Sequence, residues 1–306
     1  MSAAPLPRPV GLRARRGSLA SIRRELARAP WSAWFGMAVV GCYLVCALFA
    51  PLIAPFGEAD NLGDAYADWG APVVNDAGAR VGTFLLGSDQ LGRDMLSRLI
   101  YGARNTIGIA AATTLLSFLV GGTLGMLAAI KRGWADLVLS RLIDVLMAIP
   151  TLIFALMLLT VTGTSVLSLV VIIALLDATR VFRLARALAM NVVMLDFVEA
   201  ARLRGEGLVW LIGREILPNI MPPLIAEFGL RFCFVFLTIS ALSFLGVGLS
   251  PESAVWGSMV AENATLISYE NITPLLPAGA IALLTVAVNL VADWFLDRAS
   301  GLRHEH

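Results

Sequence analysis

Six apolar stretches restrict this chain more than any other feature. They cover about residues 33–55, 103–130, 142–162, 165–182, 220–248 and 275–296. A helix needs roughly 20 apolar residues to cross a hydrocarbon core about 30 Å thick, so each stretch meets or approaches the length of a span. Inside lipid a span has to satisfy its own backbone hydrogen bonds, which a helix does. The expected fold is therefore an all-α polytopic membrane protein with six transmembrane helices. Charged residues make up 15% of the chain, against about 25% in soluble domains. Mean hydropathy is +0.81, in keeping with several spans.

The first span follows an arginine-rich segment holding Arg8, Arg13, Arg15, Arg16, Arg23, Arg24 and Arg28. A cleaved leader has an apolar core of about 7–15 residues. The run from Trp31 to Pro55 is longer and reads as an uncleaved span. Lys131, Arg132 and Arg141 lie between spans two and three. Arg180, Arg183, Arg186, Arg202, Arg204 and Arg214 lie between four and five, and Arg298 and Arg303 follow six. With six spans all of these fall on one side, which the positive-inside rule makes cytoplasmic together with both termini. The opposite side holds loop 249–274, with Glu252, Glu262 and Glu270 and no Lys or Arg, and the acidic loop 56–102. Arg80, Arg93, Arg98 and Arg104 are exceptions there. The last three sit just before the second span, where acidic partners or headgroups would face them. Loop 56–86 reads as an irregular extracytoplasmic excursion.

Several chemistries are excluded. The only lysine is Lys131, between Ile130 and Arg132, so no Gly-Lys-Ser/Thr phosphate loop is present. Gly-x-Ser-x-Gly and His-Glu-x-x-His are also missing, and the two histidines are His304 and His306. No cofactor site and no metal site is expected: Cys42, Cys46 and Cys233 lack zinc spacing and read as apolar packing residues. Nothing points to nucleic acid. Gly121, Gly122 and Gly125 suit close helix packing in the second span, and Pro150 falls inside the third.

Charged residues within spans are functional candidates in a bilayer. Glu227 and Arg231, spaced i, i+4, pair on one helix face. Two readings stand: a neutralised structural pair, or residues lining a path through the bundle. Asp177 with Arg180, and Asp144 with Arg141, read as local pairs near the cytoplasmic ends. Asp293 reads as an interfacial carboxylate.

The polar interruption at 187–218 is the most informative segment. Asp196 and Glu199 have the spacing of a capping box, which would start a short helix running to about Arg204. Gly205 and Gly207 would break it. A second amphipathic turn with Leu208, Val209, Leu211 and Ile212 would end before Pro218. From the residues alone, this is either a surface hairpin in the headgroup layer or a docking element for a cytoplasmic partner.

Glu199-Ala200-Ala201, then Gly205, then Ile216-Leu217-Pro218 resembles the EAA loop of ABC-transporter permeases. Leu86-Gly87-Ser88-Asp89, Leu91-Gly92-Arg93-Asp94-Met95-Leu96-Ser97-Arg98 and Tyr101-Gly102-Ala103-Arg104 resemble the segment before the second span in the dipeptide/oligopeptide/nickel importer family, C-type subunit. Arg183-Leu184-Ala185-Arg186 and Leu242-Ser243-Phe244-Leu245-Gly246-Val247-Gly248 with Trp256-Gly257-Ser258-Met259 are similar to that family as well. The resemblance runs from about residue 30 to 298. The chain departs from the pattern at Gly205-Glu206-Gly207, where the family usually has Gly-Ala-Ser. It departs again at Ile239, where a glutamate is frequent, and at Asn289-Leu290-Val291-Ala292-Asp293-Trp294.

The resemblance implies the type I importer permease fold. It divides the chain into a cytoplasmic tail (1–30), a first transmembrane helix (31–55), an extracytoplasmic loop and pre-helix (56–102), a permease core (103–297) with a coupling loop at 187–218, and a cytoplasmic tail (298–306). It implies a transport subunit of the bacterial inner membrane with no ATPase site of its own. The partners implied are a homologous B-type permease, two ATPase subunits that bind ATP and Mg, an extracytoplasmic substrate-binding protein, and membrane lipid. Glu199, Ala200, Ala201, Gly205, Leu217 and Pro218 would couple the chain to the ATPases. The substrates implied are dipeptides and oligopeptides, with nickel or metallophores, glutathione and opines as alternatives. A channel or carrier working without ATPases is the remaining reading; such carriers often show internal repeats, and no clear repeat is visible here.

Overall fold

A computed structural model describes residues 29–74, 80–247, 252–269 and 271–299. The N-terminal arginines up to Arg28, Gly248, Glu270, Arg303 and both histidines lie outside the described residues. The fold is helical: α1 (Trp31–Ile53), α2 (Met95–Lys131), α3 (Gly133–Met147), α4 (Thr151–Thr162), α5 (Val166–Val193), α6 (Asp196–Leu203), α7 (Leu208–Phe244), α8 (Trp256–Asn263) and α9 (Leu275–Ala299).

Four of these, α1, α2, α7 and α9, are long and apolar enough to cross a membrane. The expected third span is α3 plus α4, bent by 91° at a short break. Pro150 stands directly before α4, and its missing N–H and ring clash end the preceding helix. Counted as one span, the pair makes five. The expected fourth span forms the first part of α5, whose later turns carry Asp177, Arg180, Arg183 and Arg186 and are too charged for a uniformly apolar crossing.

The second helix starts earlier than its apolar run suggests. Asp94 caps it, accepting the Ser97 N–H at 2.7 Å. Arg98 and Arg104 therefore sit within α2 rather than in a loop. Loop 56–86 also holds some regular structure: β1 (Pro72–Val74) pairs antiparallel with β2 (Arg80–Thr83).

The α2–α5 pair forms the central seam. A Cβ at Gly125 would lie 2.6 Å from the Phe182 carbonyl and 2.9 Å from the Arg186 amide nitrogen, and one at Gly121 would meet the Ala178 carbonyl. A Cβ at Gly122 would meet none of the described residues within 4 Å. Two glycines one turn apart thus bring the backbones together. On the expected outer side, Trp256 of α8 is buried against Gly102, with Tyr43 and Phe236 packed edge-on to its ring.

Candidate functional site

The polar interruption is built from α6, one tight turn and the start of α7. Asp196 does not cap α6. The cap position is Leu195, with no side-chain hydrogen bond, and Asp196 and Glu199 both lie in the first turn. There the two carboxylates complement the helix dipole without closing a capping box. At its other end α6 closes in a Schellman turn. Gly205 N–H donates to Arg202 O at 2.9 Å, and Glu206 N–H donates to Ala201 O at 3.3 Å. Gly205 has φ +82°, a left-handed conformation that glycine adopts without a Cβ clash.

The second helix does not stop before Pro218. It passes through a π-helical turn, Leu211–Ile216, and continues as the fifth apolar helix to Phe244. Leu217 N–H donates five residues back to Ile212 O. Pro218 has no N–H to give, and its ring would crowd the carbonyl one α-turn earlier. The wider π turn lets the helix pass the proline unbroken.

The six residues marked by the sequence motif divide into two groups. Glu199, Ala200, Gly205 and Pro218 are exposed. Ala201 is fully buried with Val198, in an apolar cluster that includes Ile130, Ala189, Leu211 and Ile216, and Leu217 packs on the same cluster. Ala201 and Leu217 therefore seat this arm against the bundle, Ala201 fully buried and Leu217 half-buried. Arg202 Nη2 donates to Ile130 O at 3.5 Å, tying α6 to the end of α2. Arg204 stacks 5.7 Å from the Trp210 ring centre and lies 3.8 Å from Glu206. Leu203 and Val209 are 83% and 87% exposed on either side of the Gly205 turn. An apolar pair flanking a turn without side-chain bulk suits contact with a protein or with lipid better than open water.

Within the bundle, Arg231 Nε donates to Glu227 Oε1 at 2.6 Å, forming the i, i+4 pair. The structure adds a member that the spacing did not reveal. Asp177 is buried on α5, 3.8 Å from Arg231, and accepts a hydrogen bond from Ser117 of α2 at 3.0 Å. Its contact with Arg180 is longer, at 4.0 Å. Asp177 therefore keeps its local pair with Arg180 and also joins a cluster that spans α2, α5 and α7. Asp144 likewise bonds Arg183 of α5 at 2.7 Å, in preference to Arg141 at 3.9 Å.

A second cluster lies at the other end of the bundle. Asp89 Oδ1 accepts the N–H groups of Leu91 and Arg93, at 2.9 and 3.0 Å, and Oδ2 accepts Arg93 Nε at 2.7 Å and also Arg98. Glu262 of α8 lies 3.2 Å from both arginines. Burial alone would push the Asp89 carboxyl upward. The Arg93 amide, the Arg98 charge, the Leu91 amide and the Arg93 charge together hold it below the usual carboxylate range. Of the three arginines expected to meet acidic partners or headgroups, Arg93 and Arg98 thus find acidic partners within the chain.

Residues 121–300 match the family model described as "Binding-protein-dependent transport system inner membrane component". The chain is 36% identical over 252 residues, 82% of each protein, to a Pseudomonas aeruginosa protein named "Di/tripeptide transport system permease protein DppC". It is 30% identical to the "Dipeptide transport system permease protein DppC" of Haemophilus influenzae, covering 87% of this chain and 88% of that one. It is 32% identical to the "Glutathione transport system permease protein GsiD" of Pectobacterium atrosepticum, over 69% of this chain and 70% of that one.

Proposed function

We propose, from the premise that this chain belongs to the family of binding-protein-dependent transport system inner membrane components, that it is the C-type permease subunit of an ATP-driven importer of dipeptides and oligopeptides. The names of the DppC relatives support the peptide class. Glutathione, named for another relative, is itself a tripeptide and the nearest alternative. The chain would cross the inner membrane six times with both termini in the cytoplasm. Its partners would be a homologous permease, two ATPase subunits that hold ATP and Mg, and an extracytoplasmic binding protein.

The observation that carries the mechanism is the continuity of the Gly205 turn with α7. Glu199, Ala200 and Gly205 are exposed on one short arm, and that arm turns directly into a helix running to Phe244. An ATPase that grips the arm differently with and without ATP would tilt α7, and the bundle with it. Equal affinity for the two states would move nothing. The chain supplies the path and the lever, and the ATPases supply the chemistry.

Reporter fusions and co-purification test this reading together. Fusions at residue 190 are expected to report cytoplasm, and fusions at residue 262 the opposite side. An ATPase pair should co-purify with the chain, and the reconstituted complex should take up a labelled dipeptide when its binding protein and ATP are present. Inverted reporters, or purification without an ATPase, would overturn the assignment.

A further inference from the structure

The charge cluster on α5 and α7 has polar capacity that the protein does not use. Arg231 spends Nε on Glu227 Oε1. Among the described residues, neither its Nη atoms nor Glu227 Oε2 makes a hydrogen bond. Asp177 Oδ1 stands 3.8 Å away, within charge pairing but beyond hydrogen-bond length. From behind, Ser117 holds the other Asp177 oxygen at 3.0 Å, so the cluster is anchored on its buried side. Its open side is formed by Glu227 and Arg231, whose side chains are 25% and 16% exposed.

Charged groups at the apolar level of a bundle avoid lipid and face water or protein. Salt bridges this buried contribute little net stability compared with apolar packing, so stability alone gives weak reason for carrying them. The open edge presents guanidinium donors next to a carboxylate acceptor, separated by a single hydrogen bond. That pattern complements a small zwitterion, with a carboxylate on Arg231 and an ammonium on Glu227.

We propose that Glu227 and Arg231 line the translocation path and form a passing subsite for the charged ends of a short peptide with free termini. This rests on the peptide-importer reading above. Asp177 is a positioning residue: it holds the guanidinium in place and does not itself meet the peptide.

The test uses the complete reconstituted transporter with its binding protein saturating. The probes are alanyl-alanine, its N-acetylated form and its C-amidated form. Glu227→Gln keeps the shape and the bond to Arg231 but removes the charge. It should slow the maximal uptake of alanyl-alanine about tenfold, as expected for loss of a charged hydrogen bond, while uptake of the N-acetylated peptide stays near wild type. Arg231→Gln should show the matching selectivity toward the C-amidated form. Equal losses for all three peptides, or none, would overturn the subsite. Dissociation of the partner permease from the Glu227→Gln complex would instead assign this edge to a subunit interface and also overturn it. Should the wild-type complex hydrolyse ATP and take up none of the peptides, the peptide reading itself fails, and the subsite with it.

Discussion

Arg98 Nη1 lies 3.2 Å from Glu262 Oε2 although the two residues are 164 positions apart. This contact joins the start of α2 to α8 and closes the two segments expected to face the binding protein into one unit. Asp89 sits between Arg93 and Arg98 and completes the clamp, itself fully buried. Asp89→Asn should cost about 3–5 kcal/mol, because it leaves buried guanidinium groups undercompensated. Glu262→Gln, at a position 17% exposed, should cost less, about 1–3 kcal/mol. Thermal unfolding of the detergent-solubilised protein checks both, and a reversed order would contradict the geometry.

The same carboxylate gives a pH signature. The folded protein holds Asp89 below its ordinary value, so the unfolded chain takes up the proton first as pH falls. The stabilisation is fully present above the unfolded value of about 3.9 and is lost as pH drops through the lower folded value. Wild type should therefore lose stability more steeply below about pH 4 than Asp89→Asn does. Parallel curves for the two proteins in acid titration of unfolding would remove Asp89 from the account.

Gly205 separates backbone strain from partner contact. No described residue lies within 4 Å of a Cβ placed there, and φ is +82°. Gly205→Asn should keep the turn, because asparagine tolerates this conformation. Gly205→Ala should cost about 1–2 kcal/mol of local strain. Gly205→Glu and Glu199→Lys should abolish uptake while the chain still inserts at wild-type level. Wild-type uptake by these last two variants, at equal complex levels, would eliminate the coupling role.

Neighbouring glycines in α2 should behave oppositely. Gly125→Ala drives a methyl into the α5 backbone and should destabilise by about 1–3 kcal/mol. Gly122→Ala meets no described residue within 4 Å and should be neutral or stabilise by up to about 1 kcal/mol through helix propensity. Melting temperatures of the two variants compare them directly; equal shifts would argue against the close α2–α5 approach.

Much of the architecture was legible in the residues. Long apolar runs located α1, α2, α7 and α9, and the motif around Glu199 and Gly205 located the short helix and the glycine turn that follows it. Helix ends were less legible. The apolar count missed the eight residues from Met95 to Gly102 at the start of α2, because the segment carries Arg98, which Asp89 and the distant Glu262 neutralise in the fold. The capping pattern at Asp196 was present in sequence but unused, since the chain enters α6 one residue earlier, at Leu195. Pro218 signalled a stop, and a π-helical turn absorbed it instead.

The sequence by itself determined the class of protein. Hydrophobic length sets which segments can cross a bilayer, and a chain whose only lysine is Lys131 cannot build a phosphate loop. Local spacing determined the Glu227–Arg231 pair, because residues four apart on a helix always face the same side. Only the tertiary structure decided that Asp177 and Ser117 join that pair, that Glu262 closes the Arg93–Arg98 clamp, and that Ala201 turns inward while Glu199 stays open. These are contacts between segments, and no period along a single helix encodes them; the one between Ser117 and Asp177 depends on the close approach of α2 and α5 that Gly121 and Gly125 allow.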